Sequence, residues 1–168
     1  MWADLNEQIP YIALAIYLPL ILIELFLSIK NQTASYTWKD TFCSVTTASF
    51  YLGTKFLMKG TTLFLLYVAW EFRFAELEMG WLAILVAYVA TDFLFYWLHR
   101  MIHEVRFAWA AHIVHHSSEK FNLGGTSLRQ SFAEPFLEAL FYAPAVLLGL
   151  HPLAVLIAIE INLIYMFW

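Results

Sequence analysis

Charged residues are scarce in this chain. Only 13% of its residues are charged, whereas 62% are hydrophobic and 18% are aromatic. An ordinary soluble domain carries about 25% charged residues. This much apolar surface exceeds what one soluble core of 168 residues could bury. The scarcity of charge therefore excludes a typical soluble domain and predicts an integral membrane protein.

Basic residues and cysteines are also few. The nine Lys and Arg residues are scattered and the net charge is −4, so no basic face for nucleic acid is predicted. Cys43 is the single cysteine, which excludes an intrachain disulfide. The first apolar stretch follows Asp4 and Glu7 rather than basic residues, and no small-x-small cleavage site comes after it. It is therefore not interpreted as a cleaved signal peptide.

Two apolar stretches are long enough to cross a bilayer. A spanning helix needs about 20 mostly apolar residues, and residues 9–29 and 80–98 meet this requirement. Residues 41–71 are also apolar but contain Lys55 and Lys59. This favours a short surface helix followed by a span over one long tilted helix.

The last part of the chain contains two shorter apolar stretches. Residues 135–150 and 152–168 meet at His151-Pro152, and their length suits a helical hairpin that turns back within the membrane. We therefore predict an all-α integral membrane protein with about three transmembrane helices. Helices that carry histidines on the cytoplasmic side follow, and then the C-terminal hairpin. The absence of a linker or repeat predicts one domain over residues 1–168, with N-terminal spans in residues 1–79.

The distribution of basic residues orients these segments. The connection at residues 71–78 is acidic, and by the positive-inside rule it lies outside together with the N-terminus. The basic residues flank it in two groups, Lys30, Lys39, Lys55 and Lys59, then Arg100, Arg106, Lys120 and Arg129. Both groups are predicted to be cytoplasmic, and the histidines with them. The membrane would be the plasma or inner membrane of a bacterium, or the endoplasmic reticulum of a eukaryote.

Five of the six histidines lie within 18 residues. They form the patterns H-x3-H and H-x2-H-H, made by His99, His103, His112, His115 and His116. On a helix, residues three or four apart share a face, so two helical faces could converge on one point. Imidazole suits iron, zinc, copper and nickel. Five imidazoles exceed the three or four protein ligands usual for one zinc ion, which favours a centre with two metals.

Asp92 is the candidate outer partner of this site. It lies seven residues before His99, about 20° away around a helix, and could accept the outer N–H of a ligand imidazole. A direct ligand and a plain contact between helices are the alternatives. His103-Glu104 does not continue into a zincin motif because residue 107 is Phe. His151, beside Pro152, is interpreted as a polar contact.

The histidine patterns resemble those of the fatty acid hydroxylase and sterol desaturase superfamily of membrane-bound non-haem iron oxygenases. The similarity rests on Asp92-Phe-Leu-Phe-Tyr-Trp-Leu-His99-Arg-x2-His103, followed by Trp109-x2-His112-x2-His115-His116-Ser-Ser. The continuation through Glu119 and Asn122, and then Leu128-Arg129-Gln-Ser131, is similar to the alkylglycerol monooxygenase-like branch. The resemblance covers residues 80–168.

The resemblance implies a di-iron centre that uses O2 to hydroxylate or desaturate a lipid of fatty acyl, sterol or alkylglycerol type. The five clustered histidines would be the metal ligands, with zinc as a substitute metal. Arg100 and Arg129 would hold the lipid head group. Electrons would come from a cytoplasmic donor, which would be a reduced pterin in the alkylglycerol branch.

Family members continue beyond a Tyr-x-Phe-Trp segment, here Tyr165 to Trp168, to a third histidine box. Residues 80–168 are therefore interpreted as the N-terminal part of the hydroxylase domain. An inactive membrane fragment and a membrane protein that binds zinc or copper are the alternative functions.

Overall fold

The computed structural model describes residues 1–33, 36–118, 120, 122–124, 128–131 and 134–165, without the side chains of residues 163 and 165. Glu119 and residues 166–168, which support the resemblance, lie outside this description. The described residues form helices and no strand, which confirms the all-α prediction. The elements are α1 (Trp2–Lys30), α2 (Trp38–Trp70), α3 (Trp81–Glu104), α4 (Arg106–His112), a 3-10 turn (His115–Ser117), α5 (Glu134–Leu147) and α6 (Pro152–Tyr165).

Helices α1 and α3 are the described helices that are long and apolar enough to cross a membrane. Only 11% and 28% of their most apolar windows are buried inside the protein. A core helix of a soluble protein would instead be mostly covered. Apolar faces left uncovered on this scale suit contact with lipid.

Helix α2 corrects the prediction for residues 41–71. It is one continuous helix of 33 residues, about 50 Å long at ~1.5 Å per residue, not a surface helix followed by a span. It contains no proline, and its hydroxyl side chains bond to carbonyls one turn earlier, as Thr46 does to Phe42 and Ser49 to Val45. Lys55 is compatible with this helix because its ammonium group pairs with Glu160.

Helices α5 and α6 have 14 residues each, about 21 Å, which is too short to cross a hydrocarbon layer of about 30 Å. A turn joins them, but α5 packs chiefly against α2, whereas α6 packs against α3 and α1. The predicted hairpin is therefore not confirmed as a unit. The core of the bundle gathers around α6, where Val155, Ile157 and Ala158 are fully buried.

One end of the bundle carries the N-terminus and two connections. The rings of Trp2 and Trp81 meet edge to face at 4.9 Å, and the amide of Leu77 donates to the carbonyl of Gly149. Gly149 has φ +107°, and a Cβ there would lie 2.6 Å from the carbonyl oxygen of Ala75. This position therefore requires glycine.

The opposite end is held together by a carboxylate of α1. Glu24 accepts hydrogen bonds from the Tyr36 hydroxyl at 2.6 Å and from the Leu123 amide at 2.8 Å. Burial, together with the hydrogen bond to Glu24, raises the pKa of Tyr36 to about 12, so the phenol remains a donor. The loop after the histidines is thus fixed to the first helix.

Candidate metal centre

Three elements bring four of the five clustered histidines together. Each offers one ring nitrogen, and these four atoms lie within 4.8 Å of one another. Helix α3 supplies two of them from one face, α4 supplies the third from its last residue, and the 3-10 turn supplies the fourth. The four residues are His99, His103, His112 and His116, and we call them the histidine cluster.

The rings of the cluster face one another closely. The Nε2 atoms of His99 and His103 are 3.1 Å apart. The ring of His112 has its centroid 4.8 Å from that of His99, 4.9 Å from that of His103 and 5.0 Å from that of His116. The ring of His103 is equally close to the other three, but His112 is the most buried member, with 1% of its surface exposed.

Several nitrogens of these rings lack hydrogen-bond partners in the described part of the chain. Nδ1 of His99 and both ring nitrogens of His112 are buried and unpartnered. Leaving a buried polar atom unpaired costs about 1–3 kcal/mol, and a bound cation would remove that cost. The all-imidazole donor set thus fits a transition metal such as iron or zinc.

His116 is suited to the neutral form of its imidazole. Burial lowers the pKa of His116, and the neighbouring His115, His112 and His103 lower it further. A metal ligand must be deprotonated, so this shift keeps His116 ready to bind at neutral pH.

His115 lies beside the cluster and is held by a backbone contact. Its Nδ1 is 2.7 Å from the carbonyl oxygen of Arg129, which fixes Nδ1 as the donor and leaves Nε2 as the free ligand atom. Its ring centroid is 5.3 Å from that of His112 and 5.0 Å from that of His116. His115 is not in the four-residue group, so it borders the cluster from one side.

Arg129 is itself anchored to α2. Its side chain is 4% exposed and lies 2.8 Å from Asp40 Oδ1, and its guanidinium also donates to the hydroxyls of Ser44 and Ser117. Arg129 also lines a cavity of about 480 Å³ with Lys39 and Asp40. The ion pair of Arg129 and Asp40 therefore joins α2 to the segment whose Arg129 carbonyl contacts His115.

Changing Asp40 to Ala is expected to lower the free energy of unfolding by about 3–5 kcal/mol, because the Arg129 charge would stay buried without its partner. Thermal unfolding in detergent would measure the effect. Asp4→Ala is the matched control, since the Asp4 side chain is 72% exposed in its pair with the N-terminus. Equal stability of the two variants would contradict this role for Asp40.

Glu134, the first residue of α5, is the carboxylate found beside the cluster. Its Oε1 lies 3.1 Å from Nδ1 of His112, and both side chains are buried. The two atoms are close, although the alignment falls short of a hydrogen bond. Asp92, the carboxylate expected in this position, is exposed, and no hydrogen bond of the described residues joins it to a histidine. The role of Asp92 stays a prediction.

Glu134→Ala is expected to weaken metal binding by about 10–100-fold, the usual effect of removing the outer partner of a ligand histidine. A chelator competition assay would measure it. Glu78→Ala, at an exposed position of the α2–α3 connection, serves as the control. Unchanged metal affinity in the Glu134 variant would assign the outer-partner role elsewhere.

The remaining predicted site residues lie at the edges of the bundle. Arg100 is half-exposed and pairs with Glu104 at 2.8 Å. His151 lies at the opposite end, where its ring packs against Tyr67 and Trp70 and its Nδ1 accepts the Leu153 amide.

An aromatic wall and an apolar cavity adjoin the cluster. The Trp109 ring centroid lies 5.1 Å from that of His103 and 5.4 Å from that of His116. A cavity of about 320 Å³ lies between α3, α4 and the start of α5. It is bounded by Glu134 and by apolar side chains that include Ile102, Phe107, Phe136 and Leu137.

Sequence reasoning missed Glu134. The available signal was a carboxylate at the start of an apolar stretch, where an ionisable group is costly and is a candidate for function. Its distance of 22 positions from His112 along the chain concealed the contact.

Comparison with known proteins identifies the family of the chain. The fatty acid hydroxylase family model matches residues 84–168, just over half of the chain. Alkylglycerol monooxygenase of Danio rerio is 34% identical over 97% of this chain, and that of Homo sapiens is 44% identical over 49%. That of Caenorhabditis elegans is 29% identical over 73%. No solved structure matches the chain.

These matches confirm the resemblance drawn from the histidine patterns, including its alkylglycerol branch. The chain spans 36% of the length of the Danio rerio relative and 18% of that of the Homo sapiens relative. With its two long apolar helices and a family model over half its length, the chain is a membrane protein that belongs to the fatty acid hydroxylase family.

Proposed function

We propose that this chain carries the metal centre of a membrane-bound non-haem di-iron oxidoreductase, which uses O2 to hydroxylate or desaturate a lipid. The observation that carries the proposal is the convergence of four imidazoles where the apolar helix α3 ends. A site at the end of an apolar helix can be reached by a lipid that moves laterally within the bilayer. The similarity to alkylglycerol monooxygenases favours an ether lipid of that type as the substrate.

The histidine cluster and His115 would hold the two irons. Bound iron would supply the activation of O2, and the protein would supply position and shielding. His112 is almost fully buried, so it would keep water away from the interior side of the site. The Arg129 carbonyl would hold His115 in one tautomer, and Glu134 would do the same for His112. Asp92 remains a second candidate for that outer role.

Two cavities would receive the substrate and the donor. The apolar cavity beside Glu134 suits an alkyl chain, since its lining is almost entirely hydrocarbon. The polar cavity lined by Arg129 and Lys39 suits a lipid head group or the electron donor. Arg100, being half-exposed, would contact a head group at the rim. For an enzyme of the alkylglycerol type the donor would be a reduced pterin, delivered from the cytoplasm.

Metal analysis and a lipid oxidation assay on the intact protein test this proposal. Two irons per chain and oxidation of an alkylglycerol that requires both O2 and reductant are the expected results. A single tightly bound zinc or copper, without oxidation, would support the metal-binding alternative. Iron without turnover, when the donor and several lipid classes are supplied, would support the inactive fragment.

A further inference from the structure

A group of charged and polar side chains lies inside the helical bundle, beside the histidine cluster. Lys55 of α2 and Glu160 of α6 form a salt bridge of 3.2 Å, with side chains 15% and 10% exposed. Glu138 of α5 shares cavity walls with Lys55. Ionisable residues inside an apolar bundle are costly and commonly mark an ion or proton pathway.

Two small cavities connect these groups. They measure about 30 Å³ and about 10 Å³, and a water molecule needs about 10–15 Å³, so the larger one has room for about two waters. Each cavity is lined by a buried asparagine whose Oδ1 has no partner in the described residues, Asn162 in the larger and Asn6 in the smaller. A cavity with this volume and an unpaired acceptor in its wall can hold water.

Two residues that line the larger cavity also lie next to histidines of the cluster. Glu134 lines this cavity and lies 3.1 Å from His112. Phe95 also lines it, and its ring centroid is 5.5 Å from that of His99. The smaller cavity extends the path away from the cluster to Lys59, which is exposed. Together, the two cavities therefore extend from Lys59 on the surface of α2 to Glu134 and Phe95. These two side chains separate the larger cavity from the histidine cluster.

Negative charge is in excess around these two cavities. Three carboxylates surround the cavities, and Lys55 is the buried cation among them. The polar groups that line a cavity with Glu138 are Asn6 from α1, Tyr51, Lys55, Lys59 and Thr62 from α2, Glu160 and Asn162 from α6, and Glu134 and Tyr142 from its own helix. If all the carboxylates were ionised, the interior would hold uncompensated charge, and a bound proton relieves this.

We propose that Glu138 and the cavity water form a proton relay that serves the histidine cluster. The inference rests on the proposed function, whose overall reaction is R–H + O2 + 2e⁻ + 2H⁺ → R–OH + H2O, with both electrons from an organic two-electron donor. The C–H and O–O bonds break, C–O and O–H bonds form, and two protons must reach a buried site. Glu138 releases a proton to the cavity water, which passes one on toward the cluster. Glu138 then regains a proton from the Lys59 side.

Infrared spectroscopy tests the relay without turnover. The chain in lipid vesicles should show a protonated carboxyl band that shifts when H2O is exchanged for D2O and is missing in Glu138→Gln. A band that does not respond to D2O would mean that bulk water does not reach Glu138. The absence of any such band would mean that Glu138 stores no proton. Either result overturns the proposal.

Turnover of the intact protein supplies the second test. Glu138→Gln should retain wild-type iron content, lose at least about tenfold in lipid oxidation, since positioned proton transfer typically contributes 10²–10⁴-fold, and show a larger solvent deuterium isotope effect. Glu138→Asp, which can still carry a proton, should recover part of the rate. Glu78→Gln, at an exposed position, should match the wild type.

Full turnover of Glu138→Gln with an unchanged isotope effect would overturn the relay. If Glu138→Gln fails to assemble, the turnover rate of Glu138→Asp and the infrared spectrum of the wild type still test the relay. If the wild-type protein oxidises no lipid, the proposed function fails, whereas the infrared result stands separately as evidence for or against a proton at Glu138.

Discussion

His112→Ala is expected to abolish stoichiometric metal binding and, with it, lipid oxidation. His112 is the most buried member of the cluster, at 1% exposed, and its ring lies within 5.0 Å of the other three. Its removal deletes one donor and opens the centre to water. The loss of affinity should exceed the roughly 10–100-fold expected for an outer partner. Metal content after dialysis, measured by mass spectrometry, would check this.

His151→Ala is the matched control for that experiment. It removes the same side chain from the opposite end of the bundle, where the ring packs against Tyr67 and Trp70. A modest loss of stability with full metal content is expected. Equal metal content in the His112 and His151 variants would refute the site.

The His115→Ala variant distinguishes a centre with one metal ion from a centre with two. A mononuclear centre built from the four-histidine group would keep its ion, because His115 is not in that group. The di-iron proposal instead expects the metal content to fall and oxidation to stop. Retention of two irons would exclude His115 as a ligand.

The sequence could predict the centre because its ligands are close along the chain. His99 and His103 lie one helical turn apart, and His112 and His116 follow within the next 13 residues, so local helix geometry brings them together. Contacts between distant segments were not predictable in this way. Glu134 reaches His112 across a loop, and Lys55 meets Glu160 over 105 positions. Such pairs depend on how whole helices pack.

The helix predictions are likewise correct where they depend on local sequence and wrong where they depend on a distant partner. Residues 9–29 and 80–98 are uninterrupted apolar stretches, and they became α1 and α3. The prediction for residues 41–71 is wrong because Lys55 and Lys59 make the stretch look too polar for one apolar helix. The structure pairs Lys55 with a carboxylate of α6, a partner that periodicity within α2 does not reveal.

Cysteine labelling is expected to give an all-or-none difference between the two ends of the bundle. In a Cys43→Ser background, which removes the exposed native cysteine, Asn31→Cys should react only from the cytoplasmic side and Ala75→Cys only from the outside. Both positions are exposed, and neither change removes one of the charges that orient the chain. An impermeant maleimide, applied before and after the membrane is opened, would measure the accessible side.

The structure places these two positions at opposite ends of the bundle, and the distribution of basic residues predicts which end is cytoplasmic. Helix α3 has 24 residues, about 36 Å, which is long enough for its ends to lie on either side of a hydrocarbon layer about 30 Å thick. Ala75 lies near its start beside Gly149, whereas α1 ends near the loop held by Glu24, on the side of the histidines. Labelling of both cysteines from one side would contradict the spanning role of α3. Opposite but reversed labelling would contradict only the cytoplasmic assignment and would require a donor on the outer side.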